Sequence, residues 1–105
     1  MRPEGKTLCR TPNQPGGGKG TNIDTWKFEA CERAIRAVFA ENGGQSLGFM
    51  ALIQAAKAPL SASDQVEMGS LGWFLTTVIL EMQFRGHLVA TKVGGRKMLA
   101  LTCGE

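Results

Sequence analysis

The run Leu88-Val89-Ala90-Thr91-Lys92-Val93-Gly94-Gly95-Arg96-Lys97-Met98-Leu99-Ala100-Leu101 decides the reading of the whole chain. Leu88, Ala90 and Lys92 alternate with Val89, Thr91 and Val93, which is the two-residue period of a strand with one face on a core. Gly94-Gly95 supplies the positive backbone angles of a tight two-residue turn, and a second strand then runs from Arg96 to Thr102. The expectation is a C-terminal β-hairpin whose tip carries Lys92, Arg96 and Lys97.

Upstream of Gly86 the period changes to that of helices. From Ser70, placed as an N-cap, to Arg85, Leu71, Leu75, Val78, Ile79 and Met82 make one apolar face. Trp73, Thr77, Leu80 and Phe84 form a second stripe almost opposite, so this helix needs cover on two sides. A shorter helix is expected over 48–58, with Phe49, Leu52, Ile53 and Ala56 as its stripe and Pro59 as its stop. Between the two, Leu60 to Gly69 reads as a polar connection with room for one helical turn after Ser63. It is too long for the turn of a minimal helix-turn-helix, which takes about three to four residues. The first helix starts at Asp24, an N-cap carboxylate, with Ile23 and Phe28 spaced as a hydrophobic staple. It buries Phe28, Cys31, Ala34, Ile35, Val38 and Phe39 and ends at Asn42-Gly43-Gly44. Leu52, Ile53, Leu75, Val78, Met82, Leu88 and Leu99 are expected in one core.

Three helices followed by a hairpin, with a short extended segment at 45–47 able to pair on the hairpin edge, is the element order of an α+β winged helix. The third helix would be the recognition helix and the Gly94-Gly95 loop the wing. Thr11-Pro12-Asn13, Gly20-Thr21-Asn22-Ile23-Asp24 and Gly69-Ser70-Leu71-Gly72-Trp73-Phe74-Leu75-Thr76-Thr77 resemble a family of small, functionally uncharacterised bacterial proteins of winged-helix character, over Thr11 to about Gly86. The resemblance implies the fold and brings no established activity with it.

The 105 residues carry 12 Lys/Arg against 9 Asp/Glu, which fits one domain with one core and excludes a large multidomain enzyme. Residues 1–23 hold Arg2, Lys6, Arg10 and Lys19 against Glu4 alone and are rich in Gly and Pro. They read as a basic loop or extended arm that can dock but cannot nucleate a core, ahead of a winged-helix domain over 24–105. The segment 24–85 is net acidic, so positive charge gathers in the arm and the hairpin. Cys9, Cys31 and Cys103 are odd in number, widely spaced and without a CxxC pair, which argues against a disulfide framework and for a reducing, cytoplasmic setting. Cys31 is expected in the core, and Cys9 exposed and oxidisable. No export signal opens the chain, and Met68 to Leu80 is too short to span a bilayer.

Two functions follow. In the first, the domain is a homodimer that binds double-stranded DNA or acts as a regulatory module, with Lys92, Arg96 and Lys97 on the wing, Arg10 and Lys19 on the arm and Thr76 on the third helix as contacts. In the second, it is a homodimerisation or protein-interaction module that keeps the fold without DNA, with Trp73, Leu80 and Phe84 as the interface. The absence of Lys and Arg between Gly69 and Leu80 favours the second; the basic wing and arm favour the first. Gly16-Gly17-Gly18-Lys19-Gly20-Thr21 is not a phosphate loop, because its glycine spacing is wrong and no hydrophobic strand precedes it. His87 is the only histidine, and the serines lack a nucleophile's context. No catalytic residue, metal site or cofactor is therefore assigned, and no enzymatic activity is expected.

Overall fold

The computed structural model describes residues 4–10 and 20–102. Over these described residues the fold is α+β, with four helices, a small N-terminal hairpin and a C-terminal three-stranded antiparallel sheet. In order, the elements are β1 (Lys6–Cys9), β2 (Thr21–Asp24), α1 (Thr25–Glu41), β3 (Leu47–Gly48), α2 (Phe49–Ala56), α3 (Ala62–Met68), α4 (Leu71–Phe84), β4 (Leu88–Val93) and β5 (Arg96–Leu101).

The C-terminal hairpin forms in the expected place. Leu88 faces Leu101, Ala90 faces Leu99 and Lys92 faces Lys97, and Gly94 and Gly95 take φ of 59° and 83° in the turn. Positive φ at both central residues is what a two-residue hairpin turn matching the strands' twist requires. β3 pairs with the other edge of β5, giving the strand order β3-β5-β4. Leu88 and Leu99 point inward onto the helices, and with Leu52, Ile53, Leu75, Val78 and Met82 they lie in one continuous core.

α4 is the central helix. It packs against α1, α2, α3, β1 and β4, and Leu75, Val78, Ile79, Glu81 and Met82 are all fully buried. The helices and sheet cover the first apolar stripe, while the N-terminal hairpin flanks the second and leaves it half-buried, with Trp73 49% exposed. The hairpin corrects the placing of Cys9 on the surface. β1 pairs antiparallel with β2, Thr7 opposite Ile23 and Leu8 opposite Asn22, and the pairing turns Cys9 and Ile23 into the core at 3% and 4% exposure. The glycines and prolines that discouraged a structural reading lie mostly in residues 11–19, outside the described residues. The flanking Lys6-Thr7-Leu8-Cys9 and Thr21-Asn22-Ile23 have enough β-branched and apolar character to pair.

A second correction concerns Leu60 to Gly69, which holds a two-turn helix, α3, rather than a single turn after Ser63. The Ser61 side chain accepts a hydrogen bond from the Asp64 backbone N–H at 3.1 Å, an N-cap two residues earlier than expected. The Gln65 side-chain amide donates to the carbonyls of Lys57 and Leu60, both at 3.0 Å, and ties the helix to the preceding turn. Met68 and Leu60 are buried as a result. Asp24 stands at the N-cap of α1 but its carboxylate does not cap; it pairs with Lys6 at 2.5 Å and Lys27 at 3.6 Å. The Lys6 bond, more than the Lys27 charge, holds the Asp24 carboxyl below its ordinary range.

The N-terminal hairpin also makes Gly20 a sensitive position. Its φ is 71°, and a Cβ there would stand 2.7 Å from Leu8 Cδ1 and 2.9 Å from the Cys9 carbonyl oxygen. Gly43, at φ 68°, has nothing within 4 Å of the same added atom. Gly20→Ala is therefore expected to cost about 1–3 kcal/mol more in denaturant unfolding than Gly43→Ala, since both carry the backbone strain and only Gly20 adds the clash. Equal costs would mean that β1 does not lie against Gly20.

Candidate nucleic-acid interface

The β4–β5 tip is where exposed positive charge is densest. Lys92, Arg96 and Lys97 are all exposed, and among the described residues none of them enters an ion pair. Register places Lys92 directly opposite Lys97, while Arg96 projects from the other face of the strand. Like charges directly opposite on a sheet are destabilising. The arrangement does nothing for the hairpin's own stability, and it leaves cations available on both faces of the tip to an anionic partner. Arg96, Lys97 and Met98 also border an open groove of about 570 Å³ against the start of α2, where Phe49 and Met50 form the opposite wall. Met50 is 65% exposed there.

The remaining residues assigned from sequence do not join this cluster. Arg10 lies at the end of β1, where its guanidinium binds the Glu81 carboxylate and rests 4.4 Å over the Phe84 ring. Thr76 is half-buried on α4. Lys19 lies outside the described residues. Of the apolar set, Leu80 and Phe84 are half-buried, and Trp73 is 49% exposed with its ring edge-on to Phe74 at 5.0 Å between centroids. Lys6, Asn22 and Ile23 of the N-terminal hairpin share a small cleft with Trp73 and Phe74. The hairpin thus flanks the stripe at both ends, through this cleft and through Arg10 on Phe84.

The residue missed from sequence is Glu81. It is fully buried yet ionised, accepting bonds from the Arg10 backbone N–H at 2.7 Å, Arg10 Nη2 at 2.8 Å and Arg85 Nε at 2.5 Å. Burial pushes its carboxyl up, and the hydrogen bonds from Arg10 and Arg85 together outweigh burial and hold it below its ordinary range. The signal was present as a lone carboxylate between Leu80 and Met82 on an otherwise apolar helix. What the spacing did not contain was its partner, 71 positions earlier in the chain.

The two described thiols, Cys9 and Cys31, are not activated. Burial, and secondarily the Glu81 charge, push Cys9 up to about 11, and burial pushes Cys31 up to about 12. His87 has Arg36 Nη2 at 3.5 Å from its Nδ1. Among the described residues no group of three or more His, Cys, Asp or Glu could hold a metal ion, and no helix there is long and apolar enough to cross a membrane.

No curated protein and no solved structure matches the chain. A family model does match, over residues 6–98, which takes in every element from β1 to the first half of β5. With that span covered, the chain belongs to the family of unknown function DUF6958.

Proposed function

We propose that this domain is a winged-helix-type module that contacts double-stranded nucleic acid through the phosphate backbone, using the β4–β5 tip as its wing. The observation that carries the reading is the facing pair Lys92 and Lys97, with Arg96 beside them and no carboxylate partner among the described residues. The order helix, short strand, helices, hairpin and the strand order β3-β5-β4 support it. In this reading α4 is not the element that reads bases. It is packed on by β1 as well as by the other helices, and it carries no Lys or Arg before Arg85. Affinity then comes from phosphates, and base sequence has little influence.

The test is the triple variant in which Lys92, Arg96 and Lys97 become Ala. Binding to unrelated duplexes should weaken to the same extent, and the slope of log affinity against log salt should flatten by about 2–3, each phosphate contact contributing about 0.9. The fold should be retained, because these side chains are exposed at a hairpin tip. A second reading, an interaction or homodimerisation module, is favoured by one feature, the half-exposed Trp73. If the unaltered protein binds no duplex and Trp73→Ala abolishes self-association, that reading replaces the first.

A further inference from the structure

We propose that the β1–β2 hairpin is a strap held shut by one ionic latch, Arg10 on Glu81, and that it opens as a unit while the helices and the three-stranded sheet stay folded. The strap is small. Each strand has four residues, and of these only Cys9 and Ile23 are buried. A two-stranded hairpin of that size does not stand on its own in water, so its place depends on what it docks against.

The docking bonds fall into two groups. At one end, Lys6 to Asp24, Thr7 Oγ1 to Thr25 Oγ1 at 2.9 Å and the Thr25 N–H to the Gly5 carbonyl at 2.9 Å join β1 to the junction of β2 and α1. β2 runs directly into α1, so these bonds surround the point about which the strap would swing. At the other end the Glu81 carboxylate receives the backbone N–H, Nε and Nη2 of Arg10, at 2.7, 3.3 and 2.8 Å. These bonds tie the end of β1 to α4.

The carboxylate's second partner is what permits opening. Leaving a buried carboxylate with no cation is strongly unfavourable. Arg85, one turn on from Glu81, is bound to it at 2.5 Å from its own side and has its guanidinium 4.8 Å over Phe28, so this pair does not pass through Arg10. Departure of Arg10 therefore admits water to Glu81 without orphaning it. It also uncovers the Phe84 ring on α4 and, on the strap itself, the Cys9 thiol. Opening below the level of global unfolding is characteristic of such peripheral units.

Cys9 and Cys31 provide the readout, because Cys9 belongs to the strap and Cys31 to the α1 core. The full-length protein is treated with a maleimide under native conditions, and labelling of each cysteine is followed by peptide mass. Cys9 is expected to react faster than Cys31. Arg10→Ala should raise the Cys9 rate by about 10- to 100-fold, as expected when charge-assisted bonds to a buried carboxylate are lost, while leaving the Cys31 rate unchanged. Arg10→Lys should restore part of the protection. Equal rates for the two thiols in the unaltered protein, or a Cys9 rate indifferent to Arg10→Ala, would overturn the proposal. Should Arg10→Ala fail to fold, hydrogen exchange of the unaltered protein decides instead. Amides of Thr7 to Cys9 should then exchange faster than those of Val78 to Met82 and with little denaturant dependence; exchange of both segments only through global unfolding would contradict the strap. Neither readout involves nucleic acid, so the outcome is independent of how the wing behaves.

Discussion

Leu75→Ala is expected to lower the unfolding free energy by about 2–5 kcal/mol, measured by denaturant titration. Leu75 is fully buried at the centre of the chain, on the helix that touches α1, α2, α3 and both the β1 and β4 sides. Truncation removes the transfer free energy of three carbons and leaves a cavity. Its walls belong to several elements at once, so no single one can shift inward to fill it. The midpoint should fall with the m-value unchanged, since the surface exposed on unfolding is nearly the same. A cost below about 0.5 kcal/mol, the range of surface substitutions, would mean that α4 is not central.

Glu81→Ala is expected to cost about 2–4 kcal/mol, towards the lower part of the range for breaking a buried pair because Arg10 and Arg85 are each about a third exposed and can turn to water. The same residue sets a pH dependence. In the fold its carboxyl is held below its ordinary value, whereas in the unfolded chain it titrates near 4.3. Glu81's contribution is therefore fully present above about pH 4.3 and is lost as pH falls through the depressed folded value. Unfolding curves of the unaltered protein should shift to lower denaturant as pH drops through this window. In Glu81→Ala that part of the shift should vanish, leaving what Asp24 and the other carboxylates contribute. An undiminished acid shift in the variant would show that Glu81 is not held as described.

Local pattern carried most of this architecture. The alternation from Leu88 to Val93, the Gly94-Gly95 turn and the three- and four-residue spacing of Phe28, Cys31, Ile35 and Phe39 each determine an element without reference to the rest of the chain. The apolar faces they create meet in one continuous core. α3 escaped because its face is nearly absent: it buries Met68 alone, so periodicity had little to detect, and only the Ser61 cap marked its start. The N-terminal hairpin escaped for a different reason. Its strands are four residues long, separated by a glycine-rich stretch, and are held by groups far away in sequence, Glu81 above all. Lone positions such as Arg10 and Cys9 read as surface when judged by their neighbours in the chain, and the tertiary partner reverses that. At the β4–β5 tip, by contrast, every feature of the candidate site is local. Lys92, Arg96 and Lys97 are brought together by the turn itself, which is why they could be named from sequence.

The proposal that the β4–β5 tip meets phosphate is tested most directly by the salt dependence of binding. Fluorescence polarisation of two unrelated labelled duplexes of equal length, titrated with the unaltered protein between about 50 and 200 mM salt, gives the slope of log affinity on log salt. Three wing contacts predict a slope of about −2 to −3, the same for both duplexes within error. Absence of salt-dependent binding to either duplex, or a slope that is unchanged when Lys92, Arg96 and Lys97 are all replaced by Ala, would contradict it.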